Sequence, residues 1–251
     1  MSRPRYPVYP NWTSWPRGCT VGVGPGPKGV AWTPPAFLAT SSRSCWGFPL
    51  AWAVLLLFHP TGEGEAITYA DVQDEVTRWL VVHLGMLVFI PLMAGAVYLL
   101  VRGIESTAAR VCRIALVLFV VFYGAWEAVV GIGTGIIVDD INGLAASEKA
   151  AAAPLVEEFN DNILIRAFGV LGNIGSLAFV VAAIAAGVAL HREAGAPLAV
   201  ALLLGLSGFL ITAHPPPYGP VGLALFIAAV LLFVRSPAAR PAARVTQPGR
   251  A

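Results

Sequence analysis

Against an apolar background, three imidazoles and one carboxylate are the side chains best placed to do chemistry: His59, His83, His214 and Glu127. Neutral imidazoles brought to a similar depth can bind zinc, copper or haem iron. His59 and His214 each precede a proline at the end of an apolar run, and His83 lies four residues into another. Glu127 sits inside a run bounded by Ile114 and Val138. An ionised carboxylate there costs several kcal/mol unless it is paired or protonated, which makes Glu127 a candidate proton-binding group. Tyr123, Glu127, Gly131 and Gly135 recur every four residues and so share one helix face. The two glycines form a small-xxx-small pair that admits a close neighbouring helix. Arg166 and Asn173, seven apart on one face of a later run, complete the polar candidates.

Two features weigh against a single shared site. No histidine pair has the His-x-x-x-His spacing of a helical metal site. Helical rise also places Glu127 roughly 10 Å deeper than His83. The smaller version is His83 alone partnering Glu127 or Arg78. Cys19, Cys45 and Cys112 show no metal-ligand spacing, and their odd number argues against a disulfide framework.

The elements that must position these residues are apolar helices. Of 251 residues, 57% are hydrophobic and 12% charged, about half the charge of a typical soluble domain. Six apolar runs follow one another: Cys45 to Phe58, Trp79 to Val101, Ile114 to Val138, Ile163 to Leu190, Pro197 to Ala213, and Val221 to Val234. A bilayer-spanning helix needs about 20 residues, which runs two, three and four meet easily. Runs one and six are short, and run five is near the limit. Pro49 and Pro91 are candidate kinks. Leu144 to Ala153 is predicted to form a short helix before Pro154, as part of a cap over one mouth of the bundle.

Charge decides the topology. If all six runs span, 13 of the 16 basic residues share one side with both chain ends, and 11 of the 14 acidic residues fall on the other. Basic residues favour the cytoplasmic side. The predicted fold is an all-α membrane protein, a bundle of six transmembrane helices with cytoplasmic termini. Residues 1–44 hold eight prolines, five basic residues and no acidic one, and are predicted to be a disordered tail. The alternative is a translation start downstream of it. Residues 45–235 form the helical domain, and 236–251 a second disordered tail.

In its richness in Ala, Arg, Gly and Pro the chain resembles the small multi-pass membrane proteins of GC-rich bacteria. The resemblance is one of composition across the six runs and rests on no motif. It implies a plasma-membrane location and no activity. Three functional readings follow: a scaffold or accessory bundle whose polar groups serve packing; a metal- or haem-binding redox protein using His59, His83 and His214; and a proton-coupled transporter using Glu127. The sequence does not decide whether the protein is an enzyme. The expected partners are the lipid bilayer and another membrane protein or a second copy, with no nucleic acid. His-Pro ends both runs one and five, but no inverted repeat of the transporter kind accompanies it.

Overall fold

The computed structural model describes residues 44–60, 67–166 and 169–236. The predicted tails lie outside this range, apart from Ser44 and Ser236. Among the described residues every regular element is helical. In chain order they are α1 (Ser44–Leu57), α2 (Tyr69–Val72), α3 (Val76–Val101), α4 (Thr107–Trp126), a π-helical segment (Glu127–Gly133), α5 (Thr134–Asn142), α6 (Ala146–Ala152), α7 (Pro154–Asn160), α8 (Val170–Glu193), α9 (Leu198–Thr212) and α10 (Tyr218–Arg235).

Six of these close a ring in sequence order: α1 packs on α3, α3 on α4, α4 on α8, α8 on α9, α9 on α10, and α10 back on α1. The helices have two apolar faces. Along α3, Val82, Met86, Ile90, Met93 and Val97 are buried, while Val81, Leu84, Val88 and Leu92 are exposed. The same split recurs along α4, with Ala115, Phe119 and Tyr123 inside and Ile114, Val117 and Val121 outside. An apolar outer face beside an apolar core is the pattern of helices surrounded by lipid. Four helices are long and apolar enough to cross a membrane: α3, the continuous rod Thr107–Asn142, α8 and α10. They are compatible with an integral membrane protein. The apolar helices of α1 and α9 are shorter.

A tight seam runs along α8, whose small residues let its neighbours approach. A Cβ at Gly175 would stand 2.5 Å from the Tyr123 backbone nitrogen, and one at Gly187 would stand 2.7 Å from Ala201 Cα.

Two boundaries differ from the sequence reading. The third apolar run begins its helix at Thr107 and ends at Asn142, because Ser106 caps it through the Ala109 amide (3.3 Å) and the π segment carries it onward. The fourth run begins its helix at Val170 rather than Ile163. Residues 162–166 fold instead as turns: Asn162 Oδ1 accepts from the Leu164 amide (3.0 Å), and the Ile165 amide donates to the Asn162 carbonyl (2.9 Å).

A cap sits at the end of the ring where α1 and α9 finish and α3 begins. Val72, Val76, Trp79, Val138, Ile141 and Val156 form a small apolar cluster of their own. Polar ties hold it. Thr134 donates to Asn160 Oδ1 (3.1 Å), Asn142 Nδ2 to the Gln73 carbonyl (2.9 Å), and Asn160 Nδ2 to the Val156 carbonyl (2.8 Å). The predicted helix between Leu144 and Ala153 is α6; Pro154 opens α7 at a position where its missing N–H costs nothing.

Candidate metal centre

The end of the ring beneath the cap brings the histidines together. His59 follows the last turn of α1, held by its amide to the Leu56 carbonyl (3.0 Å). His83 lies in the second turn of α3, and His214 directly follows α9. All three are buried, at 8%, 3% and 7% exposure. One ring nitrogen from each lies within 4.8 Å of the other two. Glu127, the first residue of the π segment, faces them at 1% exposure: Oε2 lies 4.0 Å from His83 Nε2, and Oε1 lies 3.9 Å from His214 Nδ1.

The distance expected between His83 and Glu127 from helical rise is therefore wrong for this fold. The rod outruns the other helices and α3 begins beside α5, so His83 is level with Gly131, one turn from Glu127. A Cβ at Gly131 would stand 2.2 Å from His83 Cδ2. The glycine stripe read from the sequence is the surface on which His83 lies.

The hydrogen bonds fix the free nitrogen on two of the three rings. His83 Nδ1 lies 2.7 Å from the Trp79 carbonyl, and His59 Nδ1 lies 2.6 Å from the Pro60 carbonyl. A carbonyl only accepts, so both Nδ1 atoms carry the proton and both Nε2 atoms present lone pairs. His214 Nε2 stands 3.2 Å from His59 Nε2, and His214 Nδ1 stands 3.0 Å from the Tyr123 hydroxyl, which also reaches the Thr212 carbonyl (3.2 Å). Two proton arrangements satisfy this set. In one, Tyr123 donates to His214 Nδ1, and His214 Nε2–H donates to His59. In the other, Tyr123 donates to Thr212, His214 Nδ1–H donates to Tyr123, and all three Nε2 lone pairs are free. The second is the usual arrangement of metal-bound histidines, each with its remote nitrogen tied to an oxygen.

Burial holds the imidazoles neutral where they lie beyond the helices. Loss of hydration pushes His59 down to about 4, with the Pro60 hydrogen bond opposing and the Arg78 charge assisting. Desolvation likewise pushes His214 well below its ordinary value, reinforced by His59 and His83. Neutral imidazole is the form that binds metal.

The aromatic surround is dense. The His83 ring lies 4.3 Å from Trp79, and His214 lies 5.7 Å from Trp126. Trp79 Nε1 donates to the Gly131 carbonyl (2.5 Å) and Trp126 Nε1 to the Ile165 carbonyl (2.7 Å). Both indoles escaped the sequence reading. The four-residue spacing from Trp79 to His83 was the sign that could have found one of them.

The remaining candidates stand elsewhere. Arg166 is exposed in the turns before α8, and Asn173 is exposed in the first turn of α8. Arg78 pairs with Glu75 on the surface and not with His83. Of the cysteines, Cys112 is free and buried in α4, Cys19 lies outside the described residues, and Cys45 is the second residue of α1.

A tetrahedral metal with bonds of about 2.0–2.1 Å sets its ligand nitrogens about 3.3 Å apart. The His59–His214 pair is at 3.2 Å, while the widest spacing of 4.8 Å must close by roughly 1.5 Å for all three to bind one ion. The haem reading fits less well. Axial imidazoles on opposite faces of a porphyrin stand about 4 Å apart across the ring plane. Here the histidine rings pack on one another, with centroids 4.8 Å (His59–His214) and 5.0 Å (His59–His83) apart. Comparison with protein-family models, with curated proteins and with solved structures finds no match for this chain.

Proposed function

We propose that this is a six-span integral membrane protein that holds a transition-metal ion at one end of its bundle, bound by His59, His83 and His214. The observation that carries the reading is the convergence of three buried imidazoles from three separate helix ends to within 4.8 Å. A bundle using polar groups only for packing has no need to desolvate three histidines against each other. The ligand set, all nitrogen with no thiolate, suits zinc, copper, iron or nickel.

The membrane part of the proposal rests on the ring. The short helices α1 and α9 occupy positions in it between longer ones, and both expose large apolar residues: Leu50, Val54 and Leu57, and Leu202, Leu206 and Phe209. Lipid is the solvent that suits those faces. The charge asymmetry of the sequence supports a metal centre at the non-cytoplasmic end, beneath the acidic cap, and a reading with both termini in the cytoplasm of a bacterial inner membrane.

Elemental analysis of the detergent-purified protein tests the metal. Wild type is expected to carry about one ion per chain, and His59→Ala, His83→Ala and His214→Ala should each lose it. Metal content that ignores all three substitutions would reject the centre. Wild-type protein that stays metal-free after incubation with zinc, copper, iron or nickel salts would reject it too.

A further inference from the structure

We infer that Glu127 supplies a fourth ligand to the metal held by His59, His83 and His214, making a three-histidine, one-carboxylate centre for a divalent first-row cation. The inference rests on the three-histidine reading above and adds to it the residue that sets the charge of the site.

Both Glu127 oxygens are buried and neither has a hydrogen-bond partner. Among the described residues, the only other buried side-chain nitrogen or oxygen without a partner is Trp52 Nε1. Desolvating a carboxylate is expensive, and buried charges are as a rule paired or metal-bound. The two histidines that face it cannot discharge that role. His83 faces it with a bare Nε2 lone pair at 4.0 Å, because its proton is on the Nδ1 that meets Trp79. His214 Nδ1, at 3.9 Å, is already engaged by Tyr123.

A cation among the Nε2 atoms supplies what the carboxylate lacks. Ligand atoms sharing one tetrahedral ion stand about 3.3 Å apart. Oε2 at 4.0 Å from His83 Nε2 needs to close by roughly 0.7 Å to share an ion with that nitrogen. Its place on the π segment serves the same end. Such a segment is frequent at functional sites, and here it carries both Glu127 and Gly131, the carboxylate and the surface on which His83 rests. Imidazole and carboxylate together favour zinc, iron(II), copper(II) or manganese over monovalent copper, which prefers softer donors.

Cobalt(II) is the probe, because its visible bands report coordination number and ligand type. Full-length wild type, Glu127→Gln and Glu127→Asp are titrated with cobalt(II) in detergent. Glutamine keeps the shape and removes the charge, so the metal-free variant should melt no lower than wild type. Wild type is expected to give the intense bands of a four-coordinate ion. Glu127→Gln should bind about tenfold or more weakly, with bands altered as water or amide replaces carboxylate, and Glu127→Asp should fall between. Equal affinity and identical bands in wild type and Glu127→Gln would overturn the role of Glu127 while leaving the three-histidine site standing. Absence of bound cobalt in all three proteins would overturn both.

Discussion

Gly131→Ala is the substitution whose effect follows most directly from the packing. The new Cβ would stand 2.2 Å from His83 Cδ2, 2.5 Å from Cγ and 2.8 Å from Cβ. Ordinary contact begins near 3.4 Å, so the imidazole must retreat by about 1.2 Å. Rotating the ring does not suffice, since His83 Cβ is itself too close. Either α3 shifts from the π segment or the segment deforms. Separation also stretches the bond from Trp79 Nε1 to the Gly131 carbonyl. Overpacking of this kind costs about 1–3 kcal/mol, offset by up to about 1 kcal/mol of helix propensity gained over glycine. Gly133→Ala shares the propensity gain but not the clash, its nearest neighbour being Phe159 Cζ at 3.6 Å. At about 2–4 °C per kcal/mol for a chain of this size, Gly131→Ala should melt roughly 2–12 °C below Gly133→Ala. Its metal affinity should fall by about tenfold or more, because His83 has left its place. The assay is thermal unfolding with and without added zinc, on both variants in one detergent. Two variants that melt together and bind zinc equally would refute the account of Gly131 as the seat of His83.

Two further outcomes follow. His59 is held down from an ordinary 6.5 to about 4, so the folded state binds fewer protons than the unfolded one between those values. Its contribution is complete above pH 6.5 and is lost as pH falls toward 4, about 3 kcal/mol at 1.36 kcal/mol per pH decade; the metal-free protein should melt progressively lower over that window, and His59→Gln should flatten the slope. For topology, Glu148→Cys on exposed α6 should react with an impermeant maleimide added to intact cells, and Arg110→Cys on α4 should react only after lysis; the reverse pattern would invert the assigned orientation.

Much of the fold was legible because apolar runs of helical length leave few alternatives. Four of the six predicted runs begin and end within three residues of their helices, the exceptions being the third, whose helix starts seven residues earlier, and the fourth, whose helix starts seven residues later. There the apolar residues Ile163, Leu164 and Ile165 continue the hydropathy pattern, but Asn162 hydrogen-bonds locally and breaks the helix before Val170. Six spans, as opposed to the four long apolar helices, remain a proposal from the ring and the charges. The site was half legible. Histidine at the ends of two runs, and a lone carboxylate on a glycine stripe, marked side chains that the fold brings together. Their meeting was not, because rise along separate helices ignores where each helix starts relative to its neighbour. The rod continues through the π segment into the cap, and only its pairing with α3 brings Glu127 level with His83. Run length alone sets Asn173 deep and Arg166 near the interface, whereas the late start of α8 puts Arg166 in the turns before it and Asn173 in its exposed first turn.

The most direct test of the central claim is X-ray absorption at the edge of the metal that copurifies with, or is stoichiometrically loaded into, the wild-type protein. The account predicts a shell of nitrogen and oxygen scatterers at about 2.0–2.1 Å, with the outer-shell pattern of three imidazoles and no sulfur. Fewer than three imidazoles, a sulfur scatterer, or a hydrated six-coordinate shell would contradict it.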